Sequence, residues 1–254
     1  MNKSAWRFRL RAAAWHGLAS LGLALLSALL VFIFWYPAPY RVVSGGADLF
    51  LLLITVDVLL GPLLTLAVFD MRKPVAELAR DLSVIAVIQL AALGYGLYTV
   101  HLARPVALVL EVDRYRVVPA VAVVESELPL APPPLRTLSW TGPRLLRIDM
   151  PHGKEKAEAT MMGLAGVDLG MRPKYWRAWD DEARKQALKA GTPLADLLKK
   201  HPQDQAVGEE AARAAGRPVG DLLVIPMLAR RSDWSVLVDR STGDPVGFVP
   251  LDGF

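Results

Sequence analysis

Three long apolar runs dominate the first 103 residues of the chain, whereas an ordinary mixture of polar and apolar positions follows them. Each run is close to the length of about 20 residues that an α-helix needs to cross the hydrocarbon core of a bilayer. We therefore predict a three-helix transmembrane domain at residues 16–103, after a basic N-terminus at residues 1–15. The predicted spans are residues 16–35, 49–69 and 82–103.

The first apolar run is predicted to be a signal-anchor helix that stays in the mature protein. Basic residues and no acidic ones precede it, as in a secretory signal peptide. However, its apolar core is longer than the roughly 7–15 residues of a signal-peptide core, and no A-x-A-like cleavage site follows it. Trp35, Tyr36 and Pro37 follow instead, and such aromatic residues are typical of a membrane interface. Cleavage of the segment is the alternative. The basic residues are Lys3, Arg7, Arg9 and Arg11.

The distribution of basic residues predicts how the spans are oriented. The segments at 1–15 and 70–81 are both basic, whereas the loop at 36–48 carries only Arg41. Basic segments next to spans favour the cytoplasmic side, so the first two segments are predicted to lie there. Residues 104–254 then lie outside the cytoplasm, which is the periplasm if the membrane is the inner membrane of a Gram-negative bacterium.

The segment after the spans is long enough for one domain with its own core. Directly after the third span, Val106, Leu108 and Leu110 alternate with smaller residues in a stretch rich in β-branched residues, which predicts a strand, and three further strands are predicted near the C-terminus. Helical segments lie between them, so we predict an α+β domain with a mainly antiparallel sheet. The predicted strands are residues 105–118, 221–229, 234–239 and 246–251, and the predicted helices are residues 155–165, 181–190, 193–201 and 205–215.

Local signals refine this domain. Asp180 is predicted to cap a helix that ends at Gly191, and Gly216 is predicted to end a later helix. The proline-rich stretch at 129–134 predicts a stiff, polyproline-like connector. The segments at 229–233 and 240–244 are predicted to be hairpin turns.

Asp57 is the most unusual residue of the transmembrane domain because it lies near the middle of the second apolar run. A carboxylate at that depth costs about 2.5–3.5 kcal/mol on insertion scales, so it normally faces protein or water. Counting residues along the spans places the hydroxyls of Ser27 and Tyr95 at a similar depth, and either is predicted to donate to Asp57. Gln89 is predicted to lie about two turns lower and to need a bridging water. Three readings stay open: a hydrogen bond that holds the helices together, a docking point for a partner's membrane helix, and a proton or ion site.

Gly61 and Pro62 follow Asp57 by about one turn. Such a pair is predicted to kink the helix and to open a groove for a partner helix, although membrane helices also tolerate proline without such a role. Ala92 and Gly96 on the third span allow close packing between helices.

Composition and motifs argue against catalysis and cofactor binding. The chain has no cysteine, its net charge is only +4, and its four histidines are scattered. No pair of residues has the spacing of a metal site, and no hydrolase, nucleotide-binding or dinucleotide-binding motif occurs. We therefore predict a protein that is not an enzyme, holds no metal or cofactor, and does not bind nucleic acid.

Aromatic residues of the outer segment are the remaining candidates. Tyr175, Trp176 and Trp179 precede a predicted helix, where they form either part of the core or an exposed contact patch for a partner. Trp140 and Trp234 are predicted to be core residues.

Several blocks of the chain resemble the type IV pilin accessory protein family (TfpX/TfpZ), and the resemblance spans nearly the whole chain. Two blocks are fairly specific: VDVLLGPLLT in the second apolar run, and YGLYTVHLARP at the end of the third. The other matching blocks are WYPAPY at 35–40, Gly45-Gly46, SWTGP at 139–143, LAGVDLGMRPKYW at 164–176 and WSVLVDRSTGDPVGF at 234–248.

The resemblance implies a multi-pass inner-membrane protein that assists a major type IV pilin before or during its incorporation into the pilus, as a chaperone-like accessory protein without catalysis. Its implied partners are the pilin and the lipid bilayer. Two alternatives stay open: a proton-coupled or enzymatic membrane protein that uses Asp57, and a membrane-anchored periplasmic sensor.

Overall fold

The computed structural model describes residues 3–230 and 234–253, and these form two compact units. The helical unit contains residues 3–35 and 46–103, and the sheet unit contains residues 36–45 and 104–253. The α-helices are α1 (Lys3–Leu29), α2 (Tyr40–Val43), α3 (Gly46–Val68), α4 (Val75–Leu102), α5 (Lys154–Leu164), α6 (Asp181–Ala190), α7 (Leu194–Lys200) and α8 (Gln205–Ala214). The strands are β1 (Pro105–Leu110), β2 (Tyr115–Pro119), β3 (Arg144–Ile148), β4 (Trp176–Ala178), β5 (Thr192–Pro193), β6 (Leu222–Leu228), β7 (Trp234–Asp239) and β8 (Pro245–Val249).

The helical unit consists of the three predicted apolar helices. A π-helical turn, Leu30–Trp35, continues α1, and α3 packs against both α1 and α4. Within the described ranges, three segments are long and apolar enough to cross a membrane: Trp6–Trp35, Gly46–Val68 and Val75–Leu102.

The apolar helices α1, α3 and α4 all begin before the predicted spans, and α3 begins at Gly46 rather than at residue 49. The helix starts at Lys3 and Val75 lie before the predicted span starts because the polar residues there favour helix and contain neither glycine nor proline. Pro74 directly precedes α4 and lacks the backbone N–H that a helix interior needs, so it marks the start of that helix.

The sheet of the second unit is mixed, so the prediction of a mainly antiparallel sheet is wrong. The strand order is β4-β3-β1-β2-β6-β7-β8, and β5 pairs with β6. The pairs β1–β3 and β2–β6 are parallel and the others are antiparallel. Parallel neighbours need long crossover connections, and the helices and turns between β2 and β6 supply the length for them.

The first predicted strand of the domain is in fact a hairpin. A turn at residues 111–114, closed by a bond of 2.9 Å from the Glu111 N–H to the Arg114 carbonyl, separates β1 from β2. The proline-rich stretch is not an extended connector, because it is folded into two short 3-10 turns, Glu125–Leu130 and Pro133–Leu135.

The helix signals in the domain are confirmed. The Asp180 side chain accepts the Ala183 N–H at 2.9 Å at the start of α6, and Gly191 follows the end of that helix. Gly216 has a φ of 65° and ends α8. The predicted turn at 229–233 lies partly outside the described residues, but β6 and β7 pair antiparallel on either side of it.

The short loop between the first two apolar helices belongs to the core of the sheet unit. In α2, Tyr40 and Val43 are buried in a cluster with residues of β1, β2, β6 and β7. The Tyr40 and Phe248 rings pack edge to face with their centroids 5.6 Å apart, within the range of about 4.5–7 Å that aromatic pairs prefer. Residues 36–45 therefore fold with residues 104–253 rather than as an independent loop.

Candidate functional site

The buried carboxylate of α3 has a direct partner on α4. Asp57 is only 7% exposed, and the side-chain N–H of Gln89 donates to its backbone carbonyl at 3.0 Å and to its Oδ1 at 3.2 Å. The prediction that Gln89 needs a bridging water is therefore wrong. Measured along the helix axes from the short turn at residues 69–74, Asp57 and Gln89 differ in depth by only about one helical turn, or about 5 Å. A glutamine side chain spans that distance.

The hydroxyls that the sequence places beside Asp57 do not donate to it in the described part of the chain. Ser27 is buried on α1, whereas the Tyr95 side chain is 75% exposed. The predicted hydroxyl donors to Asp57 are thus wrong, because Gln89 occupies the position beside the carboxylate. Tyr95 nevertheless lines the same cavity as Asp57.

Gly61 and Pro62 let α3 approach its two neighbours. A side-chain carbon at Gly61 would overlap the side-chain amide of Gln89, so only glycine leaves room for that amide. A side-chain carbon at Gly17 of α1 would lie 3.4 Å from Cγ of Pro62. The helix α3 continues through both residues to Val68.

Two cavities of the helical unit meet at Asp57 and Gln89. One has a volume of about 350 Å³ and lies between α3 and α4, with almost entirely apolar walls. The other has a volume of about 160 Å³ and is lined by α1, α3 and α4, including His16 and Ser20. The Gln89 Oε1 atom is buried and accepts no hydrogen bond from the described residues. The site therefore offers hydrogen-bond acceptors within an apolar surface.

His16 and Thr65 form a second polar contact in this unit, which the sequence reasoning missed. The His16 Nδ1 and the Thr65 Oγ1 lie 2.5 Å apart, and Thr65 is 2% exposed. The signal was a polar residue near each end of the apolar runs.

Of the two alternatives for the aromatic group, core or contact patch, the core holds for Tyr175 and Trp176. Tyr175 and Trp176 are buried in the core of the sheet unit, and the Trp176 indole donates to the Gly170 carbonyl at 2.8 Å. Trp179 is half-buried, stacks on Tyr115 and donates to Asp244 at 2.8 Å. Tyr175 ends a 3-10 turn and Trp176 begins β4, the edge strand that pairs with β3, so both residues enter the core with that strand.

The two tryptophans predicted to be core residues differ from each other. Trp234 packs against the core, partly buried, whereas Trp140 is 55% exposed. The core prediction is thus wrong for Trp140, since it lies on a turn between elements.

The charged clusters of the sheet unit are ion pairs between neighbouring segments. Arg172 is almost fully buried and contacts Glu127 at 2.7 Å and Glu158 at 2.5 Å. Burial lowers the pKa of the Arg172 guanidinium, but the two carboxylates more than offset this, so its pKa is raised. Within the described ranges, no group of three His, Asp or Glu side chains is placed to hold a metal ion.

The chain is similar in sequence to proteins described as fimbrial assembly proteins. The family model described as "Fimbrial assembly protein FimB" matches residues 4–45. The chain is 36% identical to "Fimbrial assembly protein, serogroup I" of Dichelobacter nodosus over 257 aligned residues, which cover all of this chain and 99% of that protein. It is 34% identical to the serogroup E1 protein of the same organism, with the same coverage.

A shorter relative matches part of the chain. The chain is 42% identical to "Fimbrial assembly protein, serogroups C1 and C2" of Dichelobacter nodosus over 131 residues, which cover 52% of this chain and all of that protein. No solved structure matches the chain.

Proposed function

The chain belongs to the family of the fimbrial assembly proteins, and from this premise we propose that it is an inner-membrane accessory protein for type IV pili. In this proposal it holds the major pilin in the membrane before or during incorporation of the pilin into the fibre, without catalysis. The full-length similarity to proteins named for fimbrial assembly supports a role in pilus assembly. Membership of the TfpX/TfpZ family and the major pilin as partner stay predictions.

The structure supports the predicted orientation in the membrane. Residues 36–45 and residues 104–253 fold into one unit, and a folded unit lies on one side of a bilayer. On the helical unit, Arg9 and Asp70 form an ion pair at 3.2 Å, so the basic N-terminus and the basic turn lie at the same end. Both facts fit a cytoplasmic N-terminus and a periplasmic sheet unit.

The cavity between α3 and α4 is the proposed contact site for the pilin. Pilin subunits are expected to wait in the membrane as single apolar helices with a periplasmic head. An apolar cavity with a few acceptors fits such a helix, because polar atoms in a membrane favour partners that satisfy them. Since Gln89 fills the space beside Gly61, the site is centred on Asp57 and Gln89 rather than on a kink at Pro62.

Site-specific photo-crosslinking tests this proposal with two adjacent positions. Ile88 lines the cavity, whereas Val87 is equally exposed, at 66% against 62%, and lies outside both cavity linings. A photo-reactive residue at position 88 should trap pilin in cells, and one at position 87 should trap mainly lipid. Equal capture at both positions would contradict the cavity as the site. Absence of pilin from both, with normal pili in a deletion strain, would contradict the function.

A proton-coupled role is the second candidate, because Asp57 and His16 line the same cavity of about 160 Å³. Two titratable side chains beside one small cavity are a common arrangement in proton pathways. The Asp57→Asn variant separates this role from the first.

A further inference from the structure

The exposed tryptophan of the sheet unit lies on a turn that contacts both points where this unit joins the candidate spans. Trp140 is 55% exposed, although large aromatic side chains in the unit are otherwise mostly covered by the core.

The first of these points follows the third span. Arg104 is two residues after Leu102, the end of that span, and it is almost fully buried. Its Nε donates to the Ser139 carbonyl at 3.3 Å, and its guanidinium carbon lies 6.0 Å from the centroid of the Trp140 ring. The turn that carries Trp140 thus packs against Arg104, the first residue of the sheet unit after the third span.

The second point follows the first span. Pro37 is two residues after Trp35, the end of that span. A side-chain carbon at Gly142 would lie 2.8 Å from Cγ of Pro37, and Gly142 has a φ of 64°, which favours glycine. The same turn therefore contacts both Arg104 and Pro37. Each of these residues follows the end of a candidate span by two positions along the chain.

A second exposed apolar side chain lies near this turn. The Ala120 N–H donates to the Arg104 carbonyl at 2.9 Å, and the next residue, Val121, is 66% exposed. Tryptophan is enriched where the apolar core of a bilayer meets the headgroups, because its ring is apolar and its N–H is polar.

We propose that Trp140, with Val121 beside it, inserts into the headgroup layer of the outer leaflet around the protein's own spans. The proposal rests on the membrane embedding proposed above, but not on the pilin role. It gives the sheet unit a lipid-contacting edge in addition to any surface that faces a protein partner.

The absence of cysteine from the chain allows a direct test. Single variants Trp140→Cys and Val121→Cys carry an environment-sensitive fluorophore, and the full-length protein is reconstituted into phosphatidylcholine vesicles with or without a quencher on the upper acyl chain. Arg240→Cys is the control. Arg240 is exposed and directly follows β7. The end of β7 pairs with the start of β6, which lies at the opposite end of the strands from Pro105.

The lipid quencher should reduce the fluorescence at positions 140 and 121 at least about twofold more than at position 240, because only the first two positions reach the acyl-chain boundary. Equal quenching at all three positions would overturn the proposal. The proposal would also be overturned if the fluorophore at position 140 were protected from solvent only in native membranes that contain the fimbrial subunit. That result would assign the surface around Trp140 to a protein contact. Flotation of each variant with the vesicles separates the two proposals, because a protein that does not float contradicts the membrane embedding itself.

Discussion

Gln89 on α4 donates its side-chain amide both to the backbone carbonyl and to the carboxylate of Asp57 on α3, at 3.0 and 3.2 Å. One side chain thus joins two apolar helices through two polar atoms of a single residue. Hydrogen bonds of this kind contribute about 0.6–2 kcal/mol each in membranes. The contact therefore sets the register of α3 against α4 more than it stabilises the unit as a whole.

Gly61→Ala should weaken this contact. The added carbon overlaps the Gln89 amide, which must move away from Asp57, so we expect a loss of about 1–2 kcal/mol of stability. Thermal unfolding of the purified protein in detergent measures it.

Gly94→Ala is the matched control, because no atom lies within 4 Å of the added carbon. It should be neutral or slightly stabilising, since alanine favours helix. Equal destabilisation by both variants would show that the Gln89 contact is not the cause.

Asp57→Asn should retain much of the pilus assembly. The amide keeps an oxygen that can accept the Gln89 N–H, whereas Asp57→Leu removes the acceptor and should reduce assembly several-fold. Surface pilin recovered by shearing compares the two variants. A proton-handling role predicts instead that both fail equally, because neither side chain can titrate.

The sequence predicts the three apolar helices correctly, but it does not predict that Gln89 is the hydrogen-bond partner of Asp57. Hydropathy reports which residues can cross a membrane, and the structure has three such helices. Hydropathy does not report where a helix starts, and the pairing of Asp57 with Ser27 and Tyr95 holds only if the centres of the apolar runs lie at one depth. The short turn before Val75 sets the true register, and it brings Gln89 to Asp57.

Strand pairing could not be read from alternation. The apolar runs of β1, β6 and β7 predict buried strands, and nearly every residue of the three is buried, but such a run does not say which strand is the neighbour or in which direction it lies. The placement of Tyr40 in the sheet core was equally hidden, since a short loop between two apolar runs carries no sign of the distant strands that it meets.

Tyr40→Ala should destabilise the sheet unit by about 3–5 kcal/mol, as large-to-small changes of buried aromatic residues do. Tyr40 is 8% exposed and packs on Phe248. Thermal unfolding followed by near-UV circular dichroism reports the packing of this core.

Val42→Ala, in the same short helix, is the control because Val42 is 40% exposed. It should change stability by less than about 0.5 kcal/mol. Similar small effects of both variants would mean that residues 36–45 do not fold with the sheet unit.

Asp239 should make the stability of the sheet unit depend on acid pH. Its buried carboxylate accepts from the Ser241 hydroxyl at 2.5 Å, from Arg217 Nε at 2.6 Å and from the Ser241 N–H at 2.8 Å. Hydrogen bonds from Ser241 and Arg217 hold the pKa of this carboxyl well below its usual value of 3.8. Because the folded pKa is depressed, the stabilisation is fully present above pH 3.8 and is lost as the pH falls toward the lower pKa of the folded state.

Asp239→Asn should therefore lower the unfolding temperature at pH 7, by an amount that corresponds to about 1–3 kcal/mol for a lost charged hydrogen-bond acceptor. The difference from the unsubstituted protein should shrink as the pH falls below about 4, because protonation removes the same charge from Asp239. Asp196→Asn is the control, since Asp196 forms an exposed ion pair with Lys199 and should shift unfolding little at any pH. A difference between Asp239→Asn and the unsubstituted protein that stays constant down to pH 2 would show that the variant acts through packing and not through the charge.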